Sequence, residues 1–303
     1  YTETRLIERG VGITVNQEHM SNNFNLPPPA DKIVTYFVDK ILSIDPRFIN
    51  GVYLTGSLPM NDFYFNKSDI DFLVLCKNLP DEKTALELKH IHKTIQKRYS
   101  KPDLSGVYIS YDALKTDKPE NSKVLHYHQG TLRYGKFEMA LVSLSELKLN
   151  AVTIFGAKAE GLPIDIKDCY LNKFLYDNIN SYWAKWIKQH SSFFNRKILL
   201  LFFPSLTEWS VLGVARQLCT LQTGKIVSKT EAGIYCMQQL PEKFHAIIKE
   251  AIEIRKNNRT YPFVKSYALK PSYKRLIETI DCVNYIISAF NKTYHHMQSV
   301  RHL

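Results

Sequence analysis

"YLTGSLPMNDFYFNKSDIDFLVL", residues 53–75, sets two strand-like runs on either side of a polar loop. The first belongs to "GVYLTG" (51–56) and ends in Gly56-Ser57; the second, "DIDFLVLC" (69–76), opens on Asp69 and Asp71. On a strand, residues i and i+2 point to the same face, so the two carboxylates project together while Ile70 and Phe72 turn into a core. A glycine before the loop lets backbone N–H groups approach a bound anion, and the Ser57 hydroxyl adds a donor.

Two like charges this close repel each other and resist burial unless a cation lies between them. A hard cation with oxygen ligands, Mg²⁺ above all, meets that need. Glycine and serine on one strand end, with paired acids on the next, suit a site for a metal-bound nucleotide triphosphate.

Outward from this stretch, "ADKIVTYFVDKILSI" (30–44) has apolar residues at helical spacing after the Pro27-Pro28-Pro29 run. Residues 81–99 read as a charged amphipathic helix and "SGVYISY" (105–111) as a strand; a loop-rich stretch and then "GKFEMALVSLSELKLNAV" (135–152) follow. From about residue 166 long helical patterns dominate, over 170–189, 206–222, 228–239, 241–256 and 272–295. The spacing predicts an α+β chain: a mixed α/β unit over 30–165 and an α-helical bundle over 166–303, joined near the Gly- and Pro-containing "EGLPIDIKD". Residues 1–29 are polar and aperiodic and read as a flexible extension, with Met20 a natural start.

The Gly-Ser and Asp-x-Asp pattern resembles the signature of the nucleotidyltransferase superfamily, at Gly56, Ser57, Asp69 and Asp71. Two further stretches, "EWSVLGVARQLCTLQTGKIVSKTEAGIYCM" (208–237) and "VTIFGAKAEGL" (152–162), resemble the aminoglycoside adenylyltransferases of the streptomycin/spectinomycin (3''/9) type. This resemblance runs from about residue 30 to 256. It implies a polymerase β-like nucleotidyltransferase domain followed by a helical bundle. The implied reaction is Mg²⁺-dependent transfer of AMP from ATP to a hydroxyl of a cationic aminoglycoside or aminocyclitol antibiotic, giving resistance. The metal would sit on Asp69 and Asp71, and Arg216, Lys225 and Lys229 would contact the triphosphate. Physics supports such cations independently, because two carboxylates and one Mg²⁺ leave a triphosphate's charge unbalanced. Arg216 also interrupts the otherwise apolar "VLGVARQLCTL", and a buried arginine needs an anion.

The attacking hydroxyl needs a proton acceptor. The resemblance places a third carboxylate within "KPDLSGVYIS" (101–110), where this chain has Ser105 and Gly106. Asp103, two residues back on the same strand face and about 6–7 Å away by strand rise, is the acid expected to serve. An acceptor rich in amines calls for acids and aromatic walls; Glu138, Trp183 and Glu208 are the candidates. Two alternatives stand beside this reading: nucleotidyl transfer to tRNA or a protein, and nucleotide binding without catalysis.

The 303 residues carry a net charge of +11 and 45% hydrophobic content, enough for a sizeable core. No apolar run approaches the roughly 18 residues that mark a membrane span. The five cysteines are scattered, odd in number and without a zinc-ligand pattern, as expected of free thiols in the cytoplasm. Nucleic acid is not an expected partner, and a monomer suffices for a two-domain cleft.

Overall fold

The computed structural model describes residues 26–45, 47–192, 200, 202–256 and 272–301. It is an α+β molecule with a mixed sheet in its N-terminal half and helices in its C-terminal half. The expected extension over 1–29 falls almost wholly outside the described residues.

Helix α1 (Pro28–Leu42) follows Pro27 and leads to β1 (Ile49–Thr55) and β2 (Ile70–Cys76). Helix α2 (Glu82–Arg98) is capped by Asp81, whose carboxylate accepts the Thr84 N–H at 2.8 Å. Then come β3 (Leu104–Ser110), β4 (Lys123–His128), β5 (Thr131–Lys136), α3 (Ala140–Asn150) and β6 (Val152–Gly156). The six strands lie in the order β5-β4-β3-β2-β1-β6. Only β2 and β3 are parallel, joined by the α2 crossover; the other neighbours are antiparallel.

The sheet is covered on both faces. Ile70, Phe72 and Val74 pack with Ile33, Phe37 and Ile41 of α1 and Leu88 of α2, while Leu73 and Leu75 face Leu144 and Leu147 of α3. Each fully buried Phe or Leu of this kind stabilises the fold by about 1.5–3 kcal/mol. His92 of α2 is buried here, donating to or accepting from the Tyr108 hydroxyl at 2.7 Å and stacked on Tyr127. Burial pushes its pKa down to about 3, so the ring is neutral and belongs to the core.

The loop-rich stretch expected between the third strand and "GKFEMALV" holds the β4–β5 hairpin. Its turn is Gln129-Gly130, with φ of 48° and 76° at the two residues. Tight hairpins need positive φ at both central positions and usually signal it with Asn-Gly or Asp-Gly. A glutamine in that place hides the turn.

Helices α4 (Asp168–Asn178) and α5 (Ala184–Ser192) are joined through a π-helical turn at Ile179–Trp183. Helices α6 (Pro204–Thr223), α7 (Lys229–Gln239), α8 (His245–Arg255) and α9 (Tyr273–Arg301) pack around Val211, Leu218, Ile248, Val283 and Phe290. Gly224 ends α6, where its N–H bonds the Thr220 carbonyl at 2.8 Å. No helix among the described residues is long and apolar enough to cross a membrane.

Candidate active site

The end of β1, the start of β2 and the loop between them, with Arg216 of α6, the start of α7 and the end of α8, line a cleft of about 190 Å³. Gly56, Ser57, Asp69, Asp71, Arg216 and Lys229 all line it. Residues far apart in sequence thus meet at one place, between the sheet and the helices.

Gly56 has φ of 68°, and a β-carbon there would collide with the Asp71 carboxylate. Glycine is required both by the backbone conformation and by the space that Asp71 occupies. Ser57 Oγ is buried and finds no hydrogen-bond partner among the described residues. A buried hydroxyl left unpaired costs about 1–3 kcal/mol, and an incoming oxyanion would satisfy it.

Asp71 pairs with Thr55 of β1 and Ser105 of β3, and Asp69 lies two residues before it. Burial, with the nearby Glu146 and Asp69 carboxylates, pushes Asp71 up to about 7; Arg216 and Lys229 oppose that rise. Asp69 is also raised, first by burial and then by Asp103. Both acids are therefore short of positive charge, which a divalent cation would supply. Hard oxygen donors, an orphaned hydroxyl and a glycine cradle fit Mg²⁺ carrying a phosphate chain. No group of three or more metal-ligating side chains occurs among the described residues, so further ligands would have to come from phosphate and water.

The cations are held ready by carboxylates. Arg216 donates to Glu146 at 2.6 Å and to the Val227 carbonyl at 2.9 Å. Lys229 donates to Glu208 at 3.0 Å. Burial lowers the Lys229 pKa, Glu208 opposes this, and the guanidinium of Arg255 adds to it. Lys229 is also the first residue of α7, whose N-cap Ser228 lines the cleft. That helix end carries partial positive charge.

Three further participants escaped the sequence reading. Asp62, in the loop after Ser57, accepts from Arg255 at 2.7 Å and from the Thr230 hydroxyl at 2.6 Å. Arg255 also reaches Glu208 at 3.4 Å and the Asp62 carbonyl at 2.9 Å. Glu146 of α3 is the partner of Arg216. Each looks like a surface charge in sequence; only the burial of Asp62 and Arg255, at 3% and 6% exposure, separates them from the solvated majority.

The remaining expected residues lie outside the cleft lining. Lys225 stands in the turn after α6, where its N–H bonds Thr223. Asp103 is ion-paired with Lys101 at 2.5 Å, and its charge reaches Asp69. Glu208 is buried and committed to Lys229 and Arg255. Trp183 is 5% exposed in the helical core, 4.6 Å from the Trp209 ring, because Gly213 of α6 leaves space for its indole. Glu138 is exposed in the turn before α3.

Comparison with known proteins bears on both halves. Residues 203–270 match the family model for the aminoglycoside adenylyltransferase C-terminal domain. No curated protein sequence matches the chain. Its fold is similar to the crystal structure of spectinomycin adenyltransferase AAD(9) from Enterococcus faecialis with ATP and spectinomycin. The TM-score is 0.62, with 18% identity over 86% of this chain and 99% of that one.

Proposed function

We propose that this protein transfers AMP from ATP to a hydroxyl of an aminoglycoside or aminocyclitol antibiotic, in the cytoplasm, with Mg²⁺ held by Asp69 and Asp71. One observation carries the reading: Gly56, Ser57, Asp69 and Asp71 line the same cleft as Arg216 and Lys229, which the matched helical segment supplies. The fold likeness to an adenyltransferase crystallised with ATP and spectinomycin supports it.

In this reading Ser57 and the backbone around Gly56 bind the phosphate chain. Arg216 and Lys229 exchange part of their carboxylate partnership for phosphate oxygens, and Lys225 joins them from the turn between α6 and α7. Asp69 and Asp71 hold Mg²⁺, which supplies charge neutralisation as pyrophosphate departs. Arg255 keeps Asp62, and with it the loop after Ser57, against the helices.

Pyrophosphate release with ATP, Mg²⁺ and either streptomycin or spectinomycin tests the reading. Antibiotic-dependent release that disappears in Asp69→Asn and Asp71→Asn is the expected result. Ser105, opposite Asp71 where a third carboxylate was expected, favours one second reading, nucleotide binding without transfer. ATP binding with no pyrophosphate released would select it.

A further inference from the structure

The row of residues running across the sheet at Asp71 continues past the cleft. In the parallel ladder Asp71 lies beside Ser105. In the next, antiparallel ladder Gly106 pairs with Tyr127 and Val107 with His126, so the same register places His128 opposite Ser105. The side chains confirm this placement: Ser105 Oγ and His128 Nδ1 are 3.0 Å apart. Laterally paired residues share a sheet face, so Asp71, Ser105 and His128 stand in line on one face, about 5 Å apart per strand.

Ser105 and His128 also line a second concavity, a groove of about 510 Å³ that includes Gly106, His126 and Arg133. Asp71 lines the first cleft and its neighbour Ser105 lines the groove. Neighbouring residues of one ladder thus line the two spaces, and His128 lies on the groove side of Ser105. The imidazole is exposed, yet close enough for its charge to act on Asp69. Asp103 differs in being tied to Lys101 and absent from both linings.

We propose that His128, oriented by Ser105, is the general base that accepts the proton of the attacking hydroxyl, and that the acceptor enters by this groove. The assignment rests on the nucleotidyl-transfer reading above. With Nδ1–H donated to Ser105 Oγ, Nε2 carries the lone pair and takes the hydroxyl proton. The freed oxygen forms a bond to the α-phosphorus of ATP. The bond from that phosphorus to the bridging oxygen breaks, and its electron pair leaves with pyrophosphate. The imidazolium then returns its proton to solvent. Ser105 is a positioning residue that fixes the tautomer and the ring plane.

The test uses the full chain, ATP, Mg²⁺ and whichever antibiotic supports pyrophosphate release. His128→Ala and His128→Gln are expected to lower kcat by about 10²–10⁴-fold, the usual share of general acid–base catalysis, while ATP affinity by calorimetry stays at the wild-type value. Added imidazole should restore part of the turnover of His128→Ala and none of that of Asp71→Asn. Ser105→Ala should lose less than His128→Ala. Wild-type kcat in both His128 variants would overturn the assignment, as would a loss that falls on Asp103→Asn instead. AMP found covalently on Ser105 by mass spectrometry would overturn it too, by making the serine a nucleophile. A wild-type protein that releases no pyrophosphate with either antibiotic would remove the proposed function and this assignment together, whereas active His128 variants remove only the base.

Discussion

Asp62 and Arg255, 193 positions apart, meet at 2.7 Å in a buried ion pair that ties the loop after Ser57 to the end of α8. The pair is extended by Thr230, which donates both its N–H and its hydroxyl to Asp62, and by Glu208, which accepts from both Arg255 and Lys229. The loop that would surround the phosphates is thereby held by the helical half of the chain.

Replacing Arg255 by Met would leave Asp62 and Glu208 buried with less positive charge around them. Breaking a buried pair from one side costs about 3–5 kcal/mol. Arg255→Met is expected to unfold at lower denaturant by that amount, and the double variant with Asp62→Asn should recover part of it. A double variant as unstable as the sum of the two single changes would show that the residues do not act as a pair.

Ser57→Ala separates stability from binding. In the free protein the Ser57 hydroxyl is buried and unpaired, so its removal is expected to raise stability slightly, by up to about 1–3 kcal/mol. The same change should weaken Mg²⁺-ATP binding by about 1.5–3 kcal/mol, the range for a hydrogen bond to a charged group. Thermal denaturation without nucleotide and calorimetry with it measure the two signs. A Ser57→Ala variant that is both less stable and equally tight for ATP would remove Ser57 from the phosphate site.

Asp71 makes stability depend on pH in the direction opposite to most carboxylates. Its pKa rises from 3.8 to about 7 on folding, so between those values the folded state binds more protons than the unfolded one. Its contribution is fully present below about pH 4 and is lost as pH rises through about 7. Asp71→Asn lacks this loss. In chelator and without nucleotide, the variant should gain stability over wild type between about pH 4.5 and pH 8. A gap between the two proteins that does not change over that range would contradict the raised pKa.

The elements around Gly56, Ser57, Asp69 and Asp71 were legible because local patterns encode them. Near-continuous apolar runs mark β1 and β2, as strands covered on both faces require, and a glycine and paired acids interrupt them at the cleft. Arg216 was legible because it interrupts an apolar helix face. Asp62, Glu146 and Arg255 were not, since each sits among ordinary polar residues and is defined by a partner at least 70 positions away. His128 was hidden for a second reason: its strand ends in a hairpin whose Gln-Gly turn gives little local signal, so its alignment with Ser105 exists only in the sheet register. Trp183, a large aromatic expected as a ligand wall, packs in the helical core, a placement that its sequence neighbours do not signal.

Glu146 offers the last test, because it acts on both sides of the cleft. Its carboxylate holds Arg216 at 2.6 Å and is, after burial, the largest influence raising the Asp71 pKa. Glu146→Gln removes a negative charge beside Asp71 and leaves the Arg216 guanidinium uncompensated. Both effects lower the Asp71 pKa. Metal binding needs the deprotonated acid, so the pH at which Mg²⁺-ATP affinity reaches half its plateau should fall in the variant. At about pH 6, where wild-type Asp71 is mostly protonated, Glu146→Gln should bind Mg²⁺-ATP more tightly; at about pH 8.5, where both proteins are ionised, the gain should shrink to what a freer Arg216 contributes. Calorimetry across this range reads both. An unchanged midpoint would show that Glu146 does not control the ionisation of Asp71, and weaker binding at both pH values would show that Arg216 needs Glu146 to hold its place.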